Sequence, residues 1–335
     1  MQTERSVVTG VRGARRLWLL VVLLSSLVLS SCALGTGGGL STKGRLAGDL
    51  EGISLAKVKI AVGSKSFTEQ LVLGKIAVTL LKSAGAVVDD LTGIPGSSSA
   101  RQATTSGQID MTWEYTGTAW ISYLGHSDPI RDPQAQYEAV RDEDLAANQL
   151  VWLPPAPENN TYGFAVTQQT RQRLGVSTLS DLAALPSSEL TFCVESELNN
   201  RNDGFEPMAA TYGLALDRVQ RMVFDTGAIY SATAGGSCNF GEVFTTDGRI
   251  EALDLTVLTD DLRFFPNYNA SPVFRQDVYQ EHAEQYDQLF GPVSAALTDE
   301  ALLSMNAEVD VQGREPADVA YDWLVEQGFI TKNKS

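Results

Sequence analysis

Residues 58–113 alternate between short apolar runs and stretches with helical spacing, and this alternation constrains the fold more than any other feature of the chain. Residues 58–62 form an apolar run suited to a buried strand. Ser66-Phe67-Thr68-Glu69 has the spacing of a capping box. A helix is expected next, with Leu73, Ala77, Leu80, Leu81 and Ala84 on one face and Gly85 as its stop. Residues 87–94 read as a second strand and 109–113 as a third, with a helix over 98–106 between them. This β-α-β-α-β order predicts an α/β fold with a mainly parallel sheet.

A second block follows the proline-rich Leu153-Pro154-Pro155-Ala156-Pro157. Strands are expected over 162–167, 190–194, 219–224 and 257–259, with a short helix over 179–185. After Arg263-Phe264-Phe265-Pro266 the chain returns to an apolar strand and helices rich in Ala, Leu and Glu. Open sheets of this kind bind ligands at the carboxyl ends of their strands. A cleft between two such blocks can close on a small solute by hinge motion. At 43% hydrophobic and 20% charged, the chain has enough apolar residues to bury a core, so disorder is excluded as its general state.

The first stretch reads as a targeting segment. Arg5, Arg12, Arg15 and Arg16 form a basic region, and 17–29 is nearly all apolar but short for a bilayer span. Leu29-Ser30-Ser31-Cys32 then brings small residues up to a cysteine, the pattern of a secretory signal peptide over 1–31. Its ending resembles the bacterial lipobox, which implies cleavage before Cys32 and acylation of its thiol. An uncleaved membrane anchor is the alternative, and both place the rest outside the cytoplasm. Residues 32–56, rich in Gly, Ser and Thr, read as a flexible tether from the membrane, with order beginning near Val58. The segment 1–31 carries four arginines and one glutamate; taking its +3 from the chain's −16 leaves −19. Such an acidic surface repels phosphate backbones, so nucleic acid is excluded as a partner. Cys193 and Cys238 remain, an even number in an oxidising compartment, and are expected to pair. Two separate buried thiols are the alternative.

Five motifs recur in a fixed order. Gly63-Ser64-Lys65-Ser66-Phe67-Thr68-Glu69-Gln70 follows the first strand, and Glu114-Tyr115-Thr116-Gly117-Thr118 follows the third. Thr161-Tyr162-Gly163-Phe164-Ala165-Val166 opens the second block, Arg201-Asn202-Asp203-Gly204 lies in its middle, and Phe244-Thr245-Thr246-Asp247-Gly248-Arg249 near its end. Asp260-Asp261 and Phe265-Pro266-Asn267-Tyr268 come after. This order resembles the glycine betaine/choline/carnitine-binding lipoproteins of osmoprotectant ABC importers, over about residues 57–329. The resemblance implies a type II periplasmic-binding-protein fold: one lobe of 57–158 and 265–335, a second of 159–264, and a two-crossover hinge near 158–161 and 262–265. It also implies a small-solute ligand, an ABC permease with a cytoplasmic ATPase as partner, and a monomer anchored to the membrane through Cys32.

The ligand chemistry such a resemblance implies is specific. A trimethylammonium donates no N–H and suits aromatic faces, each contributing about 0.5–2 kcal/mol by cation–π attraction. The matching positions are Tyr115, Tyr162, Tyr230 and Phe244, the last where many relatives carry tyrosine. Lys65, Thr118 and Arg201 would meet a carboxylate. Glycine betaine is therefore favoured over choline, which would leave two cations unpaired in a closing cleft; carnitine and other small solutes are the alternatives. Asp203, Thr245 and Asp247 are expected behind the ligand residues rather than on the ligand. An amino acid would need an acid beside its ammonium, and a ring cage without one argues against it.

Catalysis is not expected. The two histidines, His126 and His282, lack metal-ligand spacing, and there is no Gly-x-Ser-x-Gly elbow, phosphate loop or dinucleotide fingerprint. No cofactor or metal is expected. A surface interaction protein is a distant alternative that predicts no response to small solutes.

Overall fold

The computed structural model describes residues 36–333. The signal segment and Cys32 lie outside the described residues. Strand β1 (Arg45–Leu46) comes first. Then β2 (Lys59–Lys65), helix α1 (Thr68–Ser83), β3 (Val87–Ile94), α2 (Ser97–Thr105) and β4 (Met111–Tyr115) follow the predicted alternation. The predicted helix face holds: Leu73, Ala77, Leu80, Leu81 and Ala84 are all buried. The capping box does not form. Phe67 stands at the N-cap without a side-chain cap bond, and Glu69 turns inward to other partners.

Helix α3 (Pro133–Asn148) and β5 (Leu150–Trp152) complete the first sheet's outer side. The chain then crosses to β6 (Tyr162–Thr167), β7 (Thr191–Val194), α4 (Ser196–Asn200), α5 (Phe205–Thr211), β8 (Gln220–Val223), α6 (Thr226–Ala234), β9 (Phe240–Phe244) and β10 (Leu255–Val257). It returns as β11 (Ala270–Arg275), helices α7 (Ala283–Ala296), α8 (Asp299–Asp310) and α9 (Pro316–Glu326), and β12 (Ile330–Thr331). Helices α8 and α9 pack on α1.

Two five-stranded sheets result, in the orders β3-β2-β4-β11-β5 and β8-β7-β9-β6-β10. Each sheet with its helices forms a lobe. The expectation of a mainly parallel sheet needs correction: β2 pairs in parallel with β3 and β4, and β7 with β8 and β9, but β11 and β6 run antiparallel to both of their neighbours. These two are the strands by which the chain enters a sheet from the other lobe, so they run against the strands made by local βαβ crossovers.

The expected tether also needs correction. From Thr36 the chain is packed: β1 pairs with β12, Leu46, Leu50 and Leu55 are buried, and Gly37 and Thr92 exchange backbone and hydroxyl bonds. The glycine-rich composition that suggests a linker serves close approach instead. A Cβ on Gly44 would lie 2.9 Å from the Thr331 carbonyl oxygen.

Candidate functional site

The carboxyl ends of β2, β4, β7 and β9 converge on a small cavity of ≈ 30 Å³. Lys65 and Tyr115 are the last residues of β2 and β4, and Phe244 is the last of β9. The crossover strands approach from their other ends: Tyr162 opens β6, and Tyr268 lies two residues before β11. Directly after Tyr115 the chain enters a helical turn, Thr116–Thr118. A Cβ at Gly117 would lie 2.5 Å from the Asn267 carbonyl oxygen and 2.9 Å from the Tyr268 ring. Glycine there lets the Tyr268 loop close against this turn, and Tyr115, Thr118 and Tyr268 all reach the cavity.

Five rings make a continuous wall. Phe67 stacks on Phe244 at 5.2 Å and on Tyr115 at 6.2 Å between centroids. Phe244 lies 5.1 Å from Tyr162, which meets Tyr268 edge-on at 5.4 Å. Two buried cations face this wall: the Lys65 Nζ is 5.0 Å from the Tyr115 centroid, and the Arg201 Cζ is 5.5 Å from that of Tyr162. The rings thus present their negative faces to positive charge.

Both cations also have carboxylate partners. Lys65 pairs with Glu114 at 2.8 Å. Arg201 donates through Nε and Nη2 to the two oxygens of Asp203, each at 2.6 Å, and through Nη1 to Glu197 at 3.2 Å. Its Nη2 reaches Thr118 Oγ1 at 3.4 Å. Tyr268 donates its hydroxyl to Asp203 at 2.6 Å, which fixes both ring and guanidinium. Glu197 accepts from the Ser97 amide at 3.0 Å and from the Ser97 hydroxyl, so it caps α2 of the opposite lobe. Burial pushes the Glu197 carboxyl up, but Lys65, the Ser97 donors and Arg201 outweigh it and hold the group below its usual range. Glu242, buried behind this wall and donated to by the Glu195 amide, moves the other way: burial and the neighbouring Glu195 raise it well above the usual range. Glu195 is raised as well, chiefly by burial.

Of the residues singled out in the sequence, Lys65, Tyr115, Thr118, Tyr162, Arg201 and Phe244 line the cavity together. Tyr230 does not. It is buried on α6 among Ala165, Val243 and Leu255, and its hydroxyl accepts the Phe244 amide at 3.0 Å. It therefore holds a cavity ring from behind, and Tyr268 stands in the cavity wall where Tyr230 was expected. The Phe265-Pro266-Asn267-Tyr268 motif carried that signal. Phe67 was concealed by the apparent capping box. The expectation of a cage without an acid is also corrected, since Glu195 and Glu197 border the cavity. Asn160 borders it too, with its Oδ1 unpartnered among the described residues. Asp203, Thr245 and Asp247 lie behind the wall: Asp203 fixes Arg201, Thr245 bonds the crossing segment at Asn159 and Thr161, and Asp247 pairs with Arg249. Cys193 on β7 is joined to Cys238 in a disulfide with a Cα–Cα distance of 5.8 Å. Among the described residues no group of His, Cys, Asp and Glu is arranged to hold a metal, and no helix is long and apolar enough to cross a membrane.

Comparison with known proteins agrees with this geometry. Residues 58–326 match the family profile described as the substrate-binding domain of ABC-type glycine betaine transport systems. The chain is 40% identical to the glycine-betaine-binding protein of Pseudomonas aeruginosa over 279 residues, covering 81% of this chain and 88% of that one. The solved structure of apo YehZ from Escherichia coli, 32% identical, superposes with a TM-score of 0.61 over 82% of this chain and 99% of that one. That of a glycine betaine/carnitine/choline ABC transporter protein, 25% identical, gives 0.67 over 82% and 99%. The chain belongs to the family of substrate-binding components of ABC-type glycine betaine transport systems.

Proposed function

We propose that this chain captures glycine betaine in the cavity between its lobes, outside the cytoplasm, and delivers it to its permease without chemical change. The observation that carries the reading is the five-ring wall set beside Lys65, Thr118 and Arg201. The trimethylammonium would replace the side-chain cations over the rings. The carboxylate would take donors from Lys65, Thr118 and Arg201. The lobes would close by rotation at 158–161 and 262–265, driven only by contacts that differ between open and closed forms. The same reading includes a monomer held at the membrane by lipid on Cys32.

One observation favours a broader ligand range. Lys65 already has Glu114, and Arg201 has Asp203 and Glu197. Choline, which lacks a carboxylate, would leave neither cation bare, so its disadvantage is smaller than two unpaired charges would impose. Calorimetric titration of the mature chain with glycine betaine, choline, carnitine and proline tests both points. One-to-one binding of glycine betaine, with choline weaker, is the expected result. Tighter binding of choline would overturn the carboxylate assignment, and no heat with any of them would overturn the ligand class.

A further inference from the structure

Glu69 sits in the first turn of α1 and is 2% exposed, yet it does not line the ligand cavity. Its four partners are all uncharged and come from four different parts of the fold. Oε1 accepts the Tyr115 hydroxyl at 2.7 Å and the Asn160 amide at 2.8 Å. Oε2 accepts the Thr246 hydroxyl at 2.5 Å and the Asn306 amide at 3.1 Å. Tyr115 is a cavity ring, Asn160 lies on the segment crossing between lobes, Thr246 follows β9 in the second lobe, and Asn306 is on α8 of the first.

An ionised carboxylate has four lone-pair sites, and here all four are filled. Burial raises this carboxyl above its usual range, while the donors from Thr246, Tyr115, Asn306 and Asn160 oppose the rise. The two oxygens divide the work. One serves the ring and the crossing segment; the other joins the second lobe to α8. Separating the lobes removes Thr246 and leaves a buried carboxyl oxygen short of a donor, which is costly.

We propose that Glu69 is a positioning residue that couples closure of the lobes to the orientation of Tyr115 at the ligand cavity. This rests on reading that cavity as the quaternary-ammonium site. A glutamine at this position keeps one acceptor oxygen; its NH₂ needs the facing hydroxyl, of Thr246 or Tyr115, to turn and accept, and it meets the Asn306 or Asn160 amide with a donor of its own. Glu69→Gln should weaken glycine betaine binding about tenfold or more, chiefly by faster dissociation. Thr246→Val and Tyr115→Phe should each weaken it about two- to tenfold, with a combined effect that departs from the product of the two. That departure should vanish when Glu69→Gln is also present. A merely structural Glu69 predicts lower melting temperatures, multiplicative effects and an unchanged dissociation rate, and that result would overturn the proposal. If the unmodified protein binds no quaternary amine, the functional reading fails, and a second measurement decides the coupling. Dyes on Val87→Cys and Val223→Cys, both exposed and in different lobes, report the closed population of the ligand-free protein. Glu69→Gln and Thr246→Val should each shift it toward the open form; no shift in either would end the proposal.

Discussion

The two lobes share one strand order: second, first, third, crossover strand, fourth. Superposing that order pairs β2 with β7, β4 with β9, and β11 with β6. The cavity residues then fall into pairs: Tyr115 with Phe244 at the ends of the third strands, and Tyr268 with Tyr162 at the mouths of the crossover strands. Even the supports correspond. The Tyr115 ring is tied through its hydroxyl to Glu69, and Phe244, with no hydroxyl, is tied through its backbone amide to Tyr230. The difference lies in charge. The end of β2 contributes Lys65, whereas the residue after β7 is Glu195. Two residues before the end of the third strand the first lobe has the buried Trp113 and the second the buried Glu242. Equivalent places thus supply rings from both sides, and the lobes divide the electrostatics between them.

The second lobe also carries the disulfide, which joins residues 45 apart. By loop entropy such a link contributes about 4 kcal/mol to stability. Replacing Cys193 and Cys238 together by serine should lower the unfolding free energy by about 2–4 kcal/mol. Denaturant unfolding followed from both lobes checks this. If the lobes are as independent as their separate sheets suggest, the second melts first; a single shifted transition would show that they unfold as one unit.

If the paired rings are energetically equivalent, Tyr162→Ala and Tyr268→Ala should weaken glycine betaine binding by similar factors. Loss of one or two cation–π contacts predicts about tenfold or more for each. Calorimetry of the two variants compares them directly. Unchanged affinity in Tyr162→Ala would break the ring cage, and unchanged affinity in Tyr268→Ala alone would break only the symmetry.

Much of this arrangement is legible in the sequence, and the remainder is hidden for identifiable reasons. Strands β3 and β6 match their expected bounds, because a helix stop and a Pro-Gly turn flank β3 and because β6 is a mostly apolar run after the proline-rich segment. Strand β9 is harder to read because Glu242 and Gly241 interrupt its apolar character. The return of β11 into the first sheet is a long-range pairing that periodicity does not encode; the family resemblance supplies it. Tyr230 and Tyr268 illustrate the limit at the site. Each is a tyrosine near a strand of the second block's end, and only the direction of α6 against the sheet decides which ring meets the cavity. Packing of 36–56 is concealed because glycines that permit close contact have the same composition as glycines in a linker.

The contrast between Trp113 and Glu242 sharpens into a pH dependence. The folded-state pKa of Glu242 lies well above 4.5, raised by burial and by Glu195. Where a carboxyl is raised on folding, the native state holds a proton that the unfolded state has released. Its stabilising contribution is full below the unfolded pKa and is lost as pH rises through the folded one, with a slope of up to about 1.4 kcal/mol per pH unit. Glu242→Gln should remove this component and lessen the fall in stability above pH 4.5, leaving the parts due to Glu158, Glu69, Glu195 and Asp310, whose carboxyls are raised as well. Melting temperatures measured across that range would contradict the assignment if wild type and variant ran parallel.

The finest test concerns the supports. Tyr230→Phe keeps the ring and its packing but deletes the oxygen that accepts the Phe244 amide. A net hydrogen bond of about 0.5–1 kcal/mol predicts a two- to fivefold loss in glycine betaine affinity, provided that the bond positions Phe244. The same substitution should add nothing in a Phe244→Ala background, because there is then no ring to orient. An equal loss in both backgrounds would mean that Tyr230 acts through Arg249, whose guanidinium lies 4.3 Å from its ring, rather than through Phe244. The correspondence with Glu69 would then fail. The first lobe would hold its cavity ring by a dedicated polar anchor, and the second would hold its ring by stacking on Phe67 and Tyr162 alone.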